Sequence, residues 1–283
     1  MATVISTINL KGGVGKTTTT VALAEFLSAG FCKRVLVVDL DPQTNATVML
    51  IGEERWKKLN DNGHTLAQLF KDALVEPEQR RFDLEKTLQR EVSTVSAVRS
   101  VSLLPSSLEL IDVQDRLASM PSGRFFAENP IELLRRGIRS VLDEFDYVLI
   151  DCPPNLGIIT LNGLRISHGY VIPTIPDILS TYGIPQIVSR VREFSRTVGE
   201  DIQPLGVIVN MYREQSSVHR GTLDRLRAEK DAKLFGTIIP HNDHIAGAAE
   251  ATEVNTLRQK WGYQGQFDRY RAIADELQRR AEA

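Results

Sequence analysis

Apolar residues along this chain come in short, nearly unbroken runs separated by amphipathic or polar stretches. The runs Thr3–Asn9, Arg34–Asp39, Val101–Pro105, Tyr147–Asp151, Gly169–Pro173, Leu205–Asn210 and Leu234–Ile239 are rich in Val, Ile and Leu. Continuous rather than alternating hydrophobicity suits strands covered on both faces, as in a largely parallel sheet. Thr17–Ala29, Pro130–Glu144, Gly183–Val198, Val218–Lys230 and Gln266–Arg279 read as helices between them. The alternation predicts an α/β fold, doubly wound, with a mostly parallel sheet flanked by helices and a ligand site at the carboxyl ends of its strands. Gly52–Val98 is the least periodic and most polar segment. With no repeat, low-complexity tract or Pro/Ser-rich linker in the chain, residues 1–283 are expected to form one domain.

Composition narrows the setting. A chain of 283 residues with 42% hydrophobic content can bury a large core. The net charge of −2 gives no general attraction for nucleic acid or an anionic membrane, so any such binding must come from a local patch. Cys32 and Cys152, the only cysteines, lack metal-ligand spacing and predict reduced thiols in a cytoplasmic protein. The N-terminus shows no basic region and apolar core of a signal peptide. No apolar stretch approaches membrane-spanning length.

The strongest chemical signal follows the first apolar run. Lys11-Gly12-Gly13-Val14-Gly15-Lys16-Thr17-Thr18 is a glycine-rich loop leading into a helix. The ordinary phosphate-loop pattern needs a glycine where this chain has Leu10, so what remains is a deviant form with a lysine at each end of the glycines. Gly12, Gly13 and Gly15 let the backbone curl until its N–H groups converge on phosphate oxygens at the helix N-terminus. Lys16 supplies a point charge for the β/γ-phosphates and the Thr17 hydroxyl is placed for Mg²⁺.

This loop resembles that of the ParA/MinD group of deviant Walker A P-loop ATPases. Two more segments carry the likeness: Arg34–Gln43, an apolar strand ending in Asp39, Asp41, Pro42 and Gln43, and Tyr147–Pro154, whose Asp151 matches the family's Walker B region. The resemblance covers nearly the whole chain. It implies ATP and Mg²⁺ as cofactors, with Asp151 holding the metal through a water, Asp39 nearby in the metal's surroundings, and Asp41 orienting the attacking water. It implies a homodimer on ATP binding, in which Lys11 reaches across to the partner subunit's phosphates as an arginine finger does elsewhere. Gln43-Thr44-Asn45 and Pro153-Pro154-Asn155 look like the family's switch loops. Asn210 and the loop at Pro240 look like contacts to the adenine base. By the same likeness Gly52–Val98 is a variable surface region. The short N-terminus matches relatives without an N-terminal helix-turn-helix domain.

Three surfaces for such a dimer can be weighed. In the first, ParA-like reading, it binds non-specific DNA, is nucleoid-associated, and positions a plasmid, chromosome region or protein cargo with a ParB-type adaptor that stimulates slow ATP hydrolysis. Arg192, Arg196, Arg213, Arg220, Arg227 and Lys230 are the phosphate-contact candidates, although chromosomal relatives often carry an arginine where this chain has Gly236. The second is a MinD-like membrane surface, for which Gln266–Ala283 offers the sparse stripe Phe267, Tyr270, Ile273 and Leu277. That stripe is expected to pack on the protein's own sheet, so no membrane is expected. The third is an iron–sulfur reductase, for which Cys32 and Cys152 are badly placed.

Overall fold

The computed structural model describes residues 2–119 and 129–282. Six of the seven apolar runs become strands: β1 (Thr3–Thr7), β2 (Val35–Asp39), β3 (Val101–Leu104), β4 (Tyr147–Asp151), β5 (Gly169–Thr174) and β6 (Gln203–Val209). They form one sheet in the order β3-β2-β4-β1-β5-β6, with every pairing parallel. The register places Thr7 of β1 and Asp39 of β2 on either side of Asp151 of β4. The acidic strand ends therefore meet beside the loop that follows β1.

Helices cover both faces: α1 (Lys16–Phe31), α2 (Asn45–Asp61), α3 (Leu66–Asp72), α4 (Leu84–Thr87), α5 (Leu110–Ala118), α6 (Leu133–Ile138), α7 (Ile158–Arg165), α8 (Ile178–Val198), α9 (Ser217–Arg227), α10 (Asp243–Gly247), α11 (Leu257–Trp261) and α12 (Gln266–Ala281). One core unites β-strand side chains with α3, α5, α6, α7, α8 and α9. The other joins the opposite face to α1, α2, α11 and α12. This is the doubly wound arrangement that the near-continuous apolar runs require, since each strand must be covered twice.

The apolar stripe of α12 is used internally. Tyr270, Ile273, Ala274 and Leu277 are buried in the core that includes Phe26 of α1. The Phe26 ring lies 5.1 Å from Phe267 and 6.1 Å from Tyr270. Among the described residues no helix is long and apolar enough to cross a membrane.

Two elements differ from the sequence reading. Leu234–Ile239 is not a strand. It meets β6 through Phe235 N–H to the Val207 carbonyl (2.8 Å) and Ile239 N–H to the Val209 carbonyl (2.9 Å), but the Gly236 N–H between them turns to Glu276 of α12 (3.0 Å). The expected helix Pro130–Glu144 becomes α6 followed by a 3₁₀ stretch, Arg139–Glu144. Within 52–98 the chain makes short helices, as the resemblance implied: the second half of α2, bent at Gly52 (φ 75°), then α3, a 3₁₀ turn at Pro77–Gln79, α4 and irregular backbone.

Candidate nucleotide site

The loop after β1 bends through left-handed backbone at Gly13 (φ 71°) and Gly15 (φ 83°). A side chain at Gly15 would also collide with Asn210, whose Nδ2 lies 2.8 Å from where a Cβ would stand. Glycine is thus required at position 15 twice over, by conformation and by space. Gly15 caps α1 with no side-chain hydrogen bond to the helix's first amides. Those amides, together with the helix dipole, face outward as an anion site.

Lys16 is buried, and its Nζ folds back to donate to the Lys11 carbonyl at 3.3 Å. Burial pulls its pKa down, while Asp151, Asp41 and Cys152 pull the other way. The ammonium sits among carboxylates on the mouth of the sheet, which is where a phosphate chain lying along the loop would need it.

Asp151 is fully buried and accepts from the Thr17 hydroxyl at 2.7 Å and from the Thr20 hydroxyl at 3.4 Å. Burial pushes its pKa up to about 7, and the neighbouring Asp41 charge adds to this. Asp39 is also fully buried. Its Oδ1 accepts from the Asp41 N–H (3.1 Å), and its Oδ2 from the Thr47 N–H (2.9 Å) and hydroxyl (2.6 Å). Burial and the nearby Asp151 push the Asp39 pKa well above the carboxylate range. Asp39 thus anchors the turn after β2 to the start of α2. Asp41 caps that same turn, accepting from the Gln43 N–H at 2.9 Å. The Ser106 hydroxyl holds the Asp41 carbonyl at 2.7 Å.

Asn210, at the end of β6, donates its amide to the Val14 carbonyl and the Thr19 hydroxyl, both at 3.0 Å. Its Oδ1 is buried without a partner. Beside it, Pro240 bridges to Tyr212, and Tyr212, Arg213, Ile238, Pro240, His241 and Arg269 line a cleft of about 590 Å³. Lys11 does not extend into solvent. Its ammonium pairs with Asp177, the residue that caps α8. The structure therefore brings Lys16, Thr17, Asp39, Asp41 and Asp151 together and sets Lys11 to one side.

The basic candidates lie on the β6 side, on α8, on α9 and in the loops around them. Arg192 pairs with Asp231 (3.2 Å) and Arg227 with Asp224 (3.1 Å). Arg220 donates to the Glu214 carbonyl at 2.6 Å. Arg196, Arg213 and Lys230 are exposed and form no ion pair among the described residues. Sequence reading missed the supporting residues Thr47, Ser106 and Asp177. Asp177 alone had a local signal, an Asp three residues before a serine at the start of a helix, which is a capping pattern.

A parallel sheet, a glycine loop running into the N-terminus of a helix and two acidic strand ends beside it define a P-loop ATPase. The family model described as "AAA domain" (AAA_31) matches residues 2–204. The chain is 31% identical over 279 residues to the chromosome-partitioning ATPase Soj of Thermus thermophilus, covering 98% of this chain and 96% of that one. It is 30% identical to the sporulation initiation inhibitor protein Soj of Bacillus subtilis, covering 88% of each. Among solved structures, cobyrinic acid a,c-diamide synthase from Mycobacterium smegmatis, with a bound ATP analogue and magnesium, matches with a TM-score of 0.74 at 26% identity. It covers 100% of this chain and 97% of that one. The chain belongs to the ParA/Soj family of deviant Walker A ATPases.

Proposed function

We propose that this chain is an ATP-dependent, dimerising ATPase that binds DNA without sequence preference and positions a plasmid, a chromosome region or a protein cargo. The observation that carries this reading is the near end-to-end likeness to a chromosome-partitioning Soj. A ParB-type adaptor on the cargo stimulates a slow intrinsic hydrolysis. The membrane reading loses its main support because the stripe of α12 is occupied by α1.

The residues present fit ATP and Mg²⁺. The uncapped amides at the start of α1 and the left-handed glycines form a cradle for phosphate. The Thr17 hydroxyl and the Asp151 carboxylate already touch, as a hydroxyl and an acid serving one cation would. The unpartnered, buried Asn210 Oδ1 suits an amino group such as that of adenine. Mg²⁺ supplies charge neutralisation at the transferring phosphoryl group. Lys16 would bind phosphate oxygens and Asp41 would orient the attacking water, while Asp39 holds the Asp41 turn in place. Lys11 acts in the partner subunit, so hydrolysis depends on dimer formation. Arg196, Arg213 and Lys230, which form no ion pair among the described residues, are the first to test for DNA contact.

The test is binding of the Asp41→Ala protein to random-sequence duplex DNA with ATP·Mg²⁺ or ADP across a salt series. Binding only under ATP, with affinity falling steeply as salt rises, is the expected result. No binding by a protein shown to be dimeric under ATP would overturn the DNA assignment. In parallel, Lys16→Ala should lose ATP binding while Asp41→Ala keeps it. Equal loss in both would overturn the division of roles.

A further inference from the structure

The Lys11–Asp177 pair has a geometry that the reading above does not use. Asp177 divides its carboxylate between two tasks. Its Oδ1 caps α8, accepting from the Ser180 N–H and the Ser180 hydroxyl, both at 3.0 Å. Its Oδ2 accepts from the Lys11 ammonium. Lys11 is also fixed from behind. Its N–H donates to the Asn9 Oδ1 at 2.9 Å, and Asn9 Nδ2 is tied to the Pro173 carbonyl of β5 at 2.8 Å. The loop's first lysine is thus held against the start of α8 of its own chain. Burial alone would raise the Asp177 pKa, but the Lys11 hydrogen bond and the two Ser180 contacts hold it below the ordinary carboxylate value.

We propose that Asp177 is a positioning residue that retains Lys11 within its own subunit, and that this contact opens before Lys11 can reach a partner's nucleotide. The consequence for dimers rests on the trans role of Lys11 proposed above, whereas the retention itself does not. The pair is partly exposed, with side-chain exposures of 39% for Lys11 and 27% for Asp177. A contact of that kind restrains its lysine by up to about five-fold in population. A symmetric dimer opens two of them, so release should strengthen dimerisation by up to about twenty-five-fold. The gain should shrink at high salt, which already screens the pair.

Asp177→Asn separates the two tasks, because its side-chain oxygen can still cap α8 while its amide offers Lys11 no negative charge. Two measurements test the proposal. In the nucleotide-free protein, the rate at which an amine-acylating reagent labels Lys11, read by peptide mass spectrometry, should rise several-fold in Asp177→Asn and stay near wild type in Asp177→Glu. With a non-hydrolysable ATP analogue and Mg²⁺, sedimentation should show Asp177→Asn dimerising at lower protein concentration than wild type, most clearly at low salt. Unchanged Lys11 labelling in a variant with a wild-type melting curve would overturn the retention. Faster labelling with unchanged dimerisation would overturn its role as a barrier, and faster labelling with weaker dimerisation would overturn it and identify Asp177 as a contact made within the dimer. A wild-type protein that binds the analogue and never dimerises would instead overturn the proposed function, leaving the labelling result to stand alone.

Discussion

Glu25 in α1 has no exposed surface, yet its carboxylate is fully satisfied. Lys260 (2.8 Å) and Ser93 (2.7 Å) donate to one oxygen and the Trp261 indole (2.7 Å) to the other. Lys260 also donates to the Thr94 hydroxyl at 3.1 Å. Removing one partner of a buried pair leaves the other charge stranded, so Glu25→Ala should lose roughly 3–5 kcal/mol in urea unfolding. A second residue-scale expectation concerns Asp151. Its pKa is raised in the fold to about 7, mainly by burial. A carboxyl so raised contributes stability that is fully present below its unfolded pKa and is lost as pH rises through the folded pKa. From this group, the nucleotide-free protein should therefore melt at a higher temperature near pH 6 than near pH 8. A metal-binding Asp151 needs the charged form, so ATP·Mg²⁺ affinity should change in the opposite sense. It should fall as pH drops below 7, by at most about tenfold per unit, with proton release visible in calorimetry in buffers of different ionisation enthalpy.

Among elements, the segment after α9 is held by a helix more than by the sheet. Arg280 of α12 donates to the carbonyls of Leu205 (2.6 Å), Lys233 (3.0 Å) and Leu234 (2.8 Å), and its guanidinium lies 4.2 Å from the centre of the Phe235 ring. Arg280→Ala should cost about 1–2 kcal/mol and speed amide exchange at Phe235 and Ile239 before the rest of the sheet. At the other side of β6, Gly15→Ala should abolish ATP binding, since it strains a left-handed residue and pushes Asn210 from the loop; isothermal titration reads this directly. These cases show where sequence was legible. Six strands were readable because each carries a nearly unbroken apolar run that is buried over most of its length. Leu234–Ile239 carries the same run, but its pairing is interrupted by a Gly236 amide drawn to Glu276, a partner 40 residues away that no local pattern encodes. The phosphate loop was readable because its chemistry is contiguous. Thr47 and Ser106 were not, because they support the site from other turns of the fold, and Asp177 was legible only as a helix cap.

For the whole molecule, the ends of β1, β2 and β4 converge on one edge, and the glycine loop, the turns that follow β2 and β4, and Asp177 gather there. Exposed Leu10, Leu108, Ile111, Ile178, Leu179 and Tyr182 belong to loops and helix starts following β1, β3 and β5. A face of this composition suits closure against a second subunit, and replacing Leu179 and Tyr182 with Ser should weaken dimerisation in sedimentation while leaving monomer melting within about 0.5 kcal/mol. The buried Glu25–Lys260 contact has one more consequence, for the order of synthesis. Its two members stand 235 residues apart, and the aromatic side chains that cover the back of α1 arrive later still, with α12. While the chain is growing on the ribosome, the phosphate-loop helix therefore waits with an uncompensated acid and a bare apolar flank. The packing that covers α1 from behind is completed only once translation has passed α12.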